Sequence, residues 1–387
     1  MKPKTLQTDN MKKIISVIAM CGEVSTDIYK TMRMSRSNFY SAINGMMEEH
    51  VYITNNGRYT GILLKKRDKG SKGVYTFTQG AIEDGLSEEY GALDYFEKFS
   101  LPVYKSPVKY RSRTLNLSRA IMMFIEAEIP VLPPEKYLSE INNSSFSELN
   151  LYPQSSVFYT TKEIKSEQSV DGQTGNIAYG QCLGLYCGSN NMNYAVYPIP
   201  KTDKNGRLVW FKKAEERTQR LFRSFLNRNR YAGRSMEIDS AIYIGQGYKP
   251  LFSILKCEAS HFGTVYKNEY YLSYDGNPGL LALYQQDLSE INAEMFRGCK
   301  TKGIFTKFAD FEKNGIYILD GIKMNIKKAL RFRQQVNKDP EQQYAVFCLT
   351  EQKAAYRKML GSHVRIVDVE TAQYIQNVIE IGGITNV

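Results

Sequence analysis

Apolar positions recur at helical spacing near the start of the chain. Ile14, Ile15, Ile18 and Cys21 lie about one turn apart and predict a helix over Met11–Met20. Gly22 can end that helix at low steric cost. Val24, Ile28 and Met32 continue the pattern in a short helix and turn over Glu23–Met34, where Ser25 and Thr26 offer N-cap hydroxyls. Ser35 can cap a further helical run to His50, in which Phe39, Ile43, Met46 and Met47 share one face. The period then changes. Tyr59–Lys66 and Gly73–Thr78 read as two strands, with Ile62-Leu63-Leu64 set to pair with Val74-Tyr75-Thr76-Phe77 across a turn at Gly70-Ser71.

The polar complement of these faces carries the candidate chemistry. Arg36, Ser37, Asn38, Tyr40, Ser41 and Asn44 crowd the N-terminal half of the third run. Arg can pair with guanine and Asn with adenine, each through two hydrogen bonds, which singles out Arg36 and Asn38 for base edges. Tyr40, Ser41 and Asn44 suit phosphate oxygens equally well. Lys65, Lys66, Arg67, Lys69 and Lys72 gather near the hairpin tip against the single Asp68, a composition matched to a phosphate backbone. Solvation alone accounts for either feature taken singly; their order along the chain weighs toward DNA. Glu23–Thr26, Ser35-Arg36-Ser37 and Val74–Gly80, with Phe77 in the place of a leucine, resemble the winged helix-turn-helix superfamily. That resemblance implies a recognition helix entering the major groove by its N-terminal half.

Beyond this module the pattern is plainer. Ala81–Phe99 is acidic and helix-compatible, Leu101–Pro107 reads as a linker, and Arg111–Glu128 reads as a buried helix stopped by Ile129-Pro130. Pro133-Pro134 and Asn142–Ser145 mark further loops. Ser156–Thr160, Ala178–Tyr186, Met192–Ile199, Ser240–Ile244 and Leu251–Lys256 read as strands, the second and third as a hairpin, and Val209–Arg230 as a helix. Tyr344–Leu349, Glu351–Leu360, Val364–Val367 and Thr371–Ile379 alternate strand, helix, strand and helix, which points to parallel pairing. The expected organisation is an α+β winged helix-turn-helix domain over 1–80, a helical connector over 81–150, and an α/β mixed-sheet domain over 151–387. Two helices are strongly basic: Lys212–Arg234 with Lys213, Arg217, Arg220, Arg223, Arg228 and Arg230, and Ile322–Arg333 with Lys323, Lys327, Lys328 and Arg331. Each is a solvated face or an additional DNA track.

Composition narrows the function classes. The net charge of +11 over 387 residues favours a polyanionic partner. Met1–Lys13 is charged and the apolar run after it short, so no export signal is expected. Nor does any stretch approach the roughly 20 apolar residues of a membrane span. A cytoplasmic, reduced location follows, and the six cysteines show no paired ligand spacing for a metal. A metal-dependent nuclease needs an upstream carboxylate and a Glu/Asp-x-Lys strand. Glu163-Ile164-Lys165 and Glu351-Gln352-Lys353 both fit the short half, and Asp239 can serve upstream, but its downstream partner Lys256-Cys257-Glu258 is reversed. No phosphate loop and no recognisable hydrolase histidine occurs.

An N-terminal winged helix followed by a degenerate restriction-endonuclease-like α/β domain resembles the replication-relaxation family of conjugative plasmids and elements. The carriers are Ser35–Asn44, Tyr75–Gly80, Ala345–Leu349 and Val364–Val367. The resemblance implies binding without cleavage, beside relaxase or replication proteins. The expectation is a non-enzymatic, sequence-specific double-stranded DNA-binding protein of a mobile element, with no cofactor and no membrane partner, and with homodimerisation open. A plasmid replication initiator, a divergent nuclease and a ligand-responsive repressor are the alternatives.

Overall fold

The computed structural model describes residues 4–5, 8–32, 34–54, 57–67, 73–82, 108–131, 156–169, 181–189, 191–199, 212–228, 235–255, 265–276, 278–284 and 288–381. It is a mixed α+β chain in two compact units, Met1–Tyr152 with Val157–Gly175, and Pro153–Ser156 with Asn176–Val387. The acidic run after residue 82, the linker at 101–107 and the loops around Pro133 and Asn142 lie outside the described residues.

In the first unit, β1 (Lys4–Thr5) precedes α1 (Asp9–Cys21), which is capped by the Thr8 hydroxyl and ends at Gly22, whose φ of 85° is the left-handed conformation that glycine adopts freely. Ile14 to Cys21 are all buried, so this helix is enclosed rather than amphipathic. The stretch expected as a short helix differs. Val24–Ser25 form strand β2, antiparallel to β6 (Val74–Phe77), and only Ile28–Lys30 make a 3-10 turn. The Ser25 hydroxyl donates to Asp27, so neither it nor Thr26 caps a helix. Helix α2 spans Arg36–Met47. The single strand expected over Tyr59–Lys66 is two: β4 (Gly57–Gly61), paired with β3 (His50–Thr54), and β5 (Leu64–Arg67), paired with β6 in the register Leu64 to Phe77 and Arg67 to Val74. Two residues, Ile62 and Leu63, separate β4 from β5 and let the chain leave one sheet for the other.

Helix α3 (Val108–Glu126) packs on α1. Two ion pairs reinforce it. Lys13 reaches Glu126 at 2.9 Å, and Arg119 Nη2 donates to both oxygens of Asp27 at 2.9 and 3.0 Å. Strand β7 (Val157–Thr160) follows, with Phe158 stacked on Phe124 at 4.2 Å, and leads into α4 (Thr161–Ser169).

The second unit holds two mixed sheets. In one, β11 (Asn268–Ser273), β10 (Ser240–Gly245) and β9 (Asn193–Pro198) run parallel, and β8 (Gly184–Cys187) is antiparallel to β9. These strands are buried almost throughout, as sheets covered on both faces must be. Helix α5 (Lys212–Arg228) precedes β10. Of the run Leu251–Lys256, expected as a strand, Leu251–Leu255 belong instead to helix α6 (Lys249–Leu255), with Pro250 in the first turn where its missing N–H costs nothing.

After α7 (Ser289–Met295), the other sheet has the order β12 (Phe311–Lys313), β13 (Ile316–Asp320), β14 (Tyr344–Leu349), β15 (Arg365–Val369). Its first pair is antiparallel and the rest are parallel. Helices α8 (Ile326–Lys338), α9 (Lys353–Leu360) and α10 (Thr371–Ile381) intervene or follow. α8 starts four residues later than the charge pattern indicates, because the Asn325 side chain accepts from Lys328 N–H at 3.2 Å and sets the cap there.

The Asp27–Arg119 pair ties the turn before α2 to α3. Its arginine side chain is 8% exposed and its aspartate 27%. Asp27→Ala removes the carboxylate that the buried guanidinium meets and is expected to lower stability by roughly 2 kcal/mol, below the fully buried range because the aspartate is partly solvated. Urea unfolding with Arg119→Met added is the check: the double variant should recover much of the loss.

Candidate functional site

Helix α2 owes its start to Ser35, whose hydroxyl accepts from Asn38 N–H at 3.1 Å. Phe39, Ile43 and Met46 are fully buried, and Phe39 is ringed by Tyr29, Tyr40 and Tyr75 at 5.7, 5.4 and 6.3 Å between centroids. That anchoring decides what faces outward. At 100° per residue, Ser37, Ser41 and Asn44 form the centre line of the exposed face, with Arg36 and Asn38 on its margins. All five are exposed, and Tyr40 is half-buried. The Arg36 guanidinium lies over the Tyr40 ring at 5.5 Å, a contact worth about 0.5–1 kcal/mol that pre-orients the long side chain.

The cationic strand is built into the same unit. Leu63 N–H donates to the Met46 carbonyl at 3.0 Å, tying the end of α2 to the residue before β5. On β5, Lys66 is exposed while Lys65 and Arg67 are half-buried. Lys69, Lys72 and the Gly70-Ser71 turn lie outside the described residues. Two features went unread in the sequence. Lys30, on the turn before α2, is exposed and adds a cation; Glu48 and Glu49, exposed after α2, give its C-terminal end the opposite sign.

The two basic helices of the second unit differ. α5 presents Lys213, Arg217 and Arg220 to solvent at i, i+4 and i+7, while Arg223 pairs with Glu237 at 2.6 Å. The cations of the α8 region are mostly engaged within the unit. Lys327 donates to the Tyr266 carbonyl, Lys328 to Asp310, and Lys323 sits over the Tyr284 ring at 5.7 Å. Only Arg331 among its named cations is exposed.

The described nuclease-like fragments sit on different elements and are engaged there. Glu163-Ile164-Lys165 lies on helix α4, where Glu163 accepts from Thr160 N–H at 2.6 Å. Asp239 pairs with Lys267, Glu351 accepts from Tyr248 at 3.2 Å, and Lys353 pairs with Asp368 at 2.9 Å. Lys256-Cys257-Glu258 falls outside the described residues. Among the described residues no group of three His, Cys, Asp or Glu is placed to hold a metal ion. Burial pushes the Cys21 and Cys348 thiols up to about 12, which keeps both protonated and poor as nucleophiles or ligands. Compared with known proteins, the chain matches no family model, no curated protein and no solved structure. Among the described residues no helix is long and apolar enough to cross a membrane.

One ionisable cluster is deeply buried. Glu269 on β11 is fully enclosed, neither of its oxygens receives a hydrogen bond, and Lys327 Nζ stands 3.8 Å away. Glu215 on α5 accepts from Tyr243 at 3.3 Å on the same side of the sheet. Burial raises the Glu269 carboxyl to about 8, opposed by Lys327 and assisted by Glu215; Lys327 is itself pushed down by burial. The folded chain therefore keeps this proton to a higher pH than the unfolded chain. The resulting stabilisation is complete below the ordinary carboxylate value and is lost as pH rises through about 8. Glu269→Gln is expected to flatten the stability profile between pH 4.5 and about 8, removing a slope of at most about 1.4 kcal/mol per pH unit. Urea midpoints across that window measure it, and an unchanged slope would show that Glu269 is ionised when folded.

Proposed function

We propose that this chain is a double-stranded DNA-binding protein that works in the winged-helix manner. The observation that carries the reading is the joining of two surfaces in one unit. One is a capped helix with a short, polar, outward face; the other is a strand pair bearing Lys65, Lys66 and Arg67. Such a helix offers hydrogen-bonding groups of groove-reading length without apolar residues that demand a protein partner. The adjoining cations suit phosphate oxygens, which fix register and supply most of the affinity. The exposed Glu48 and Glu49 support an approach by the N-terminal half of α2, because the other end repels a polyanion.

Within this reading, Arg36 and Asn38 discriminate bases from the margins of the face, Ser37, Ser41 and Asn44 make shorter-range contacts, and Tyr40 orients Arg36. Lys65–Lys72 hold the backbone. No chemistry on the DNA is part of the proposal. A place in plasmid transfer or mobilisation, beside a relaxase or replication protein, rests on the resemblance of Ser35–Asn44 and the terminal strands to the replication-relaxation family.

Selection from a random duplex pool, followed by binding measurements, tests the assignment. Arg36→Ala should cost about 1–3 kcal/mol of discrimination at one base pair of the selected site. An unchanged ratio of selected to random duplex would remove α2 as the reading element. Lys66→Ala should weaken all sequences alike and reduce the slope of log K against log salt by about 0.9.

A further inference from the structure

The most solvent-exposed large apolar side chain among the described residues is Ile304, at 85%. It stands on the turn between α7 and β12, in the run Met295–Ala309, which contains Arg297, Lys300, Lys302 and Lys307 and no acidic residue. An isoleucine so displayed needs an account, because the turn around it is firmly built. Gly303 has φ 149°, and a Cβ there would meet the Phe305 ring at 2.9 Å. Thr306 closes the turn with both its N–H and its hydroxyl on the Gly303 carbonyl, at 3.1 and 2.8 Å. Phe305 and Phe308 both pack on Tyr317 of β13, at 5.9 and 5.2 Å between centroids, and Phe305 is buried. At the other flank, Phe296 stacks on Phe311 at 3.9 Å and Lys300 pairs its backbone with Glu312 at 2.7 and 3.0 Å. The neighbouring aromatics are turned inward, while Ile304 is displayed far more fully than Met295 at the start of the run, which is 38% exposed.

We propose that Ile304 is a wedge that enters a base step of duplex DNA, with Arg297, Lys302 and Lys307 gripping the flanking phosphates. These three side chains are exposed, whereas Lys300 is held by Glu312 at 2.8 Å. Minor-groove proteins unstack a step with a single apolar side chain and pay for the bend with added backbone contact. A cationic collar around one isoleucine has that composition. An acidic membrane shares the charge requirement, but one isoleucine has far less apolar area than a myristoyl chain, itself a marginal anchor. The wedge rests on the proposed DNA binding and adds deformation to it.

The full chain is tested on a short duplex with a central TA step and a fluorophore at each end. Wild type should raise energy transfer by bending the duplex, and Ile304→Ser should lose that rise with an unchanged melting temperature. Lys302→Ala with Lys307→Ala should weaken every duplex and lower the log K–log salt slope by about 1.8. Bending by Ile304→Ser equal to wild type overturns the wedge. So does loss of binding to phosphatidylserine vesicles with the bend retained, which would make the tip a membrane contact. If Arg36→Ala keeps its site preference while Ile304→Ser loses the bend, the recognition-helix reading falls and the wedge stands. The reverse pattern removes the wedge alone, and a chain that binds no duplex overturns both.

Discussion

The enclosure of α1 is the constraint on which the first unit depends. Eight consecutive residues from Ile14 to Cys21 are buried, so apolar or neutral partners must cover the helix on every side. α3 covers part of it, and α2, β2 and β6 also pack against it. The helix end then fixes the strands. Gly22 N–H returns to the Ile18 carbonyl at 2.6 Å, and the Gly22 carbonyl accepts the Thr76 hydroxyl at 2.9 Å. Thr76 belongs to β6, and its register partner on β5 is Lys65. A hydrophobic requirement at α1 is thereby transmitted through one cap and one ladder to the place where cations emerge.

The basic character of the chain is unevenly available to a partner. Lys267, Lys300, Lys328 and Lys353 each meet a carboxylate, and Arg223 and Arg119 do the same. Apart from the largely buried Arg119 pair, such exposed pairs add little stability, yet they cancel charge locally and shorten the field felt by a polyanion. Among the described residues, exposed cations occur on α2 and β5, on α5 and around Ile304, and also on α9 and β15. Formal charge therefore overstates the reach of α8, where burial and internal partners absorb Lys327 and Lys328.

What was legible in the sequence was whatever had a local cause. The Ser35 cap, the Gly22 stop and the Phe39–Ile43–Met46 face are set by neighbours within a turn, and so are the alternating elements after Tyr344. Val24–Ser25 is not legible as a strand because its strand character comes from β6, some fifty residues away in sequence. The Leu251 run has no period that separates strand from helix over its short length. One signal was present and missed. Asn314-Gly315 links β12 to β13 with φ of 53° and 79°, the pairing that tight hairpins favour. The candidate site was legible in residue type but not in arrangement, since the outward angle of each α2 residue depends on which side chains the core accepts.

That arrangement constrains how α2 can work. The centre of its exposed face is serine and asparagine, side chains that reach only a few bonds from the backbone, while the one long side chain stands at the margin over Tyr40. In the proposed complex the helix must lie deep in the groove for Ser37, Ser41 and Asn44 to touch base edges at all. Depth is not something such short groups can enforce, because each contributes only neutral hydrogen bonds of modest net worth. The phosphate grip from β5 has to set it, and the Leu63-to-Met46 hydrogen bond joins the end of the helix to the residue before that strand. Affinity and sequence reading are then mechanically coupled: loosening the cations lifts the short polar face from the bases. Arg36, long enough to bridge the gap, keeps its contact longest.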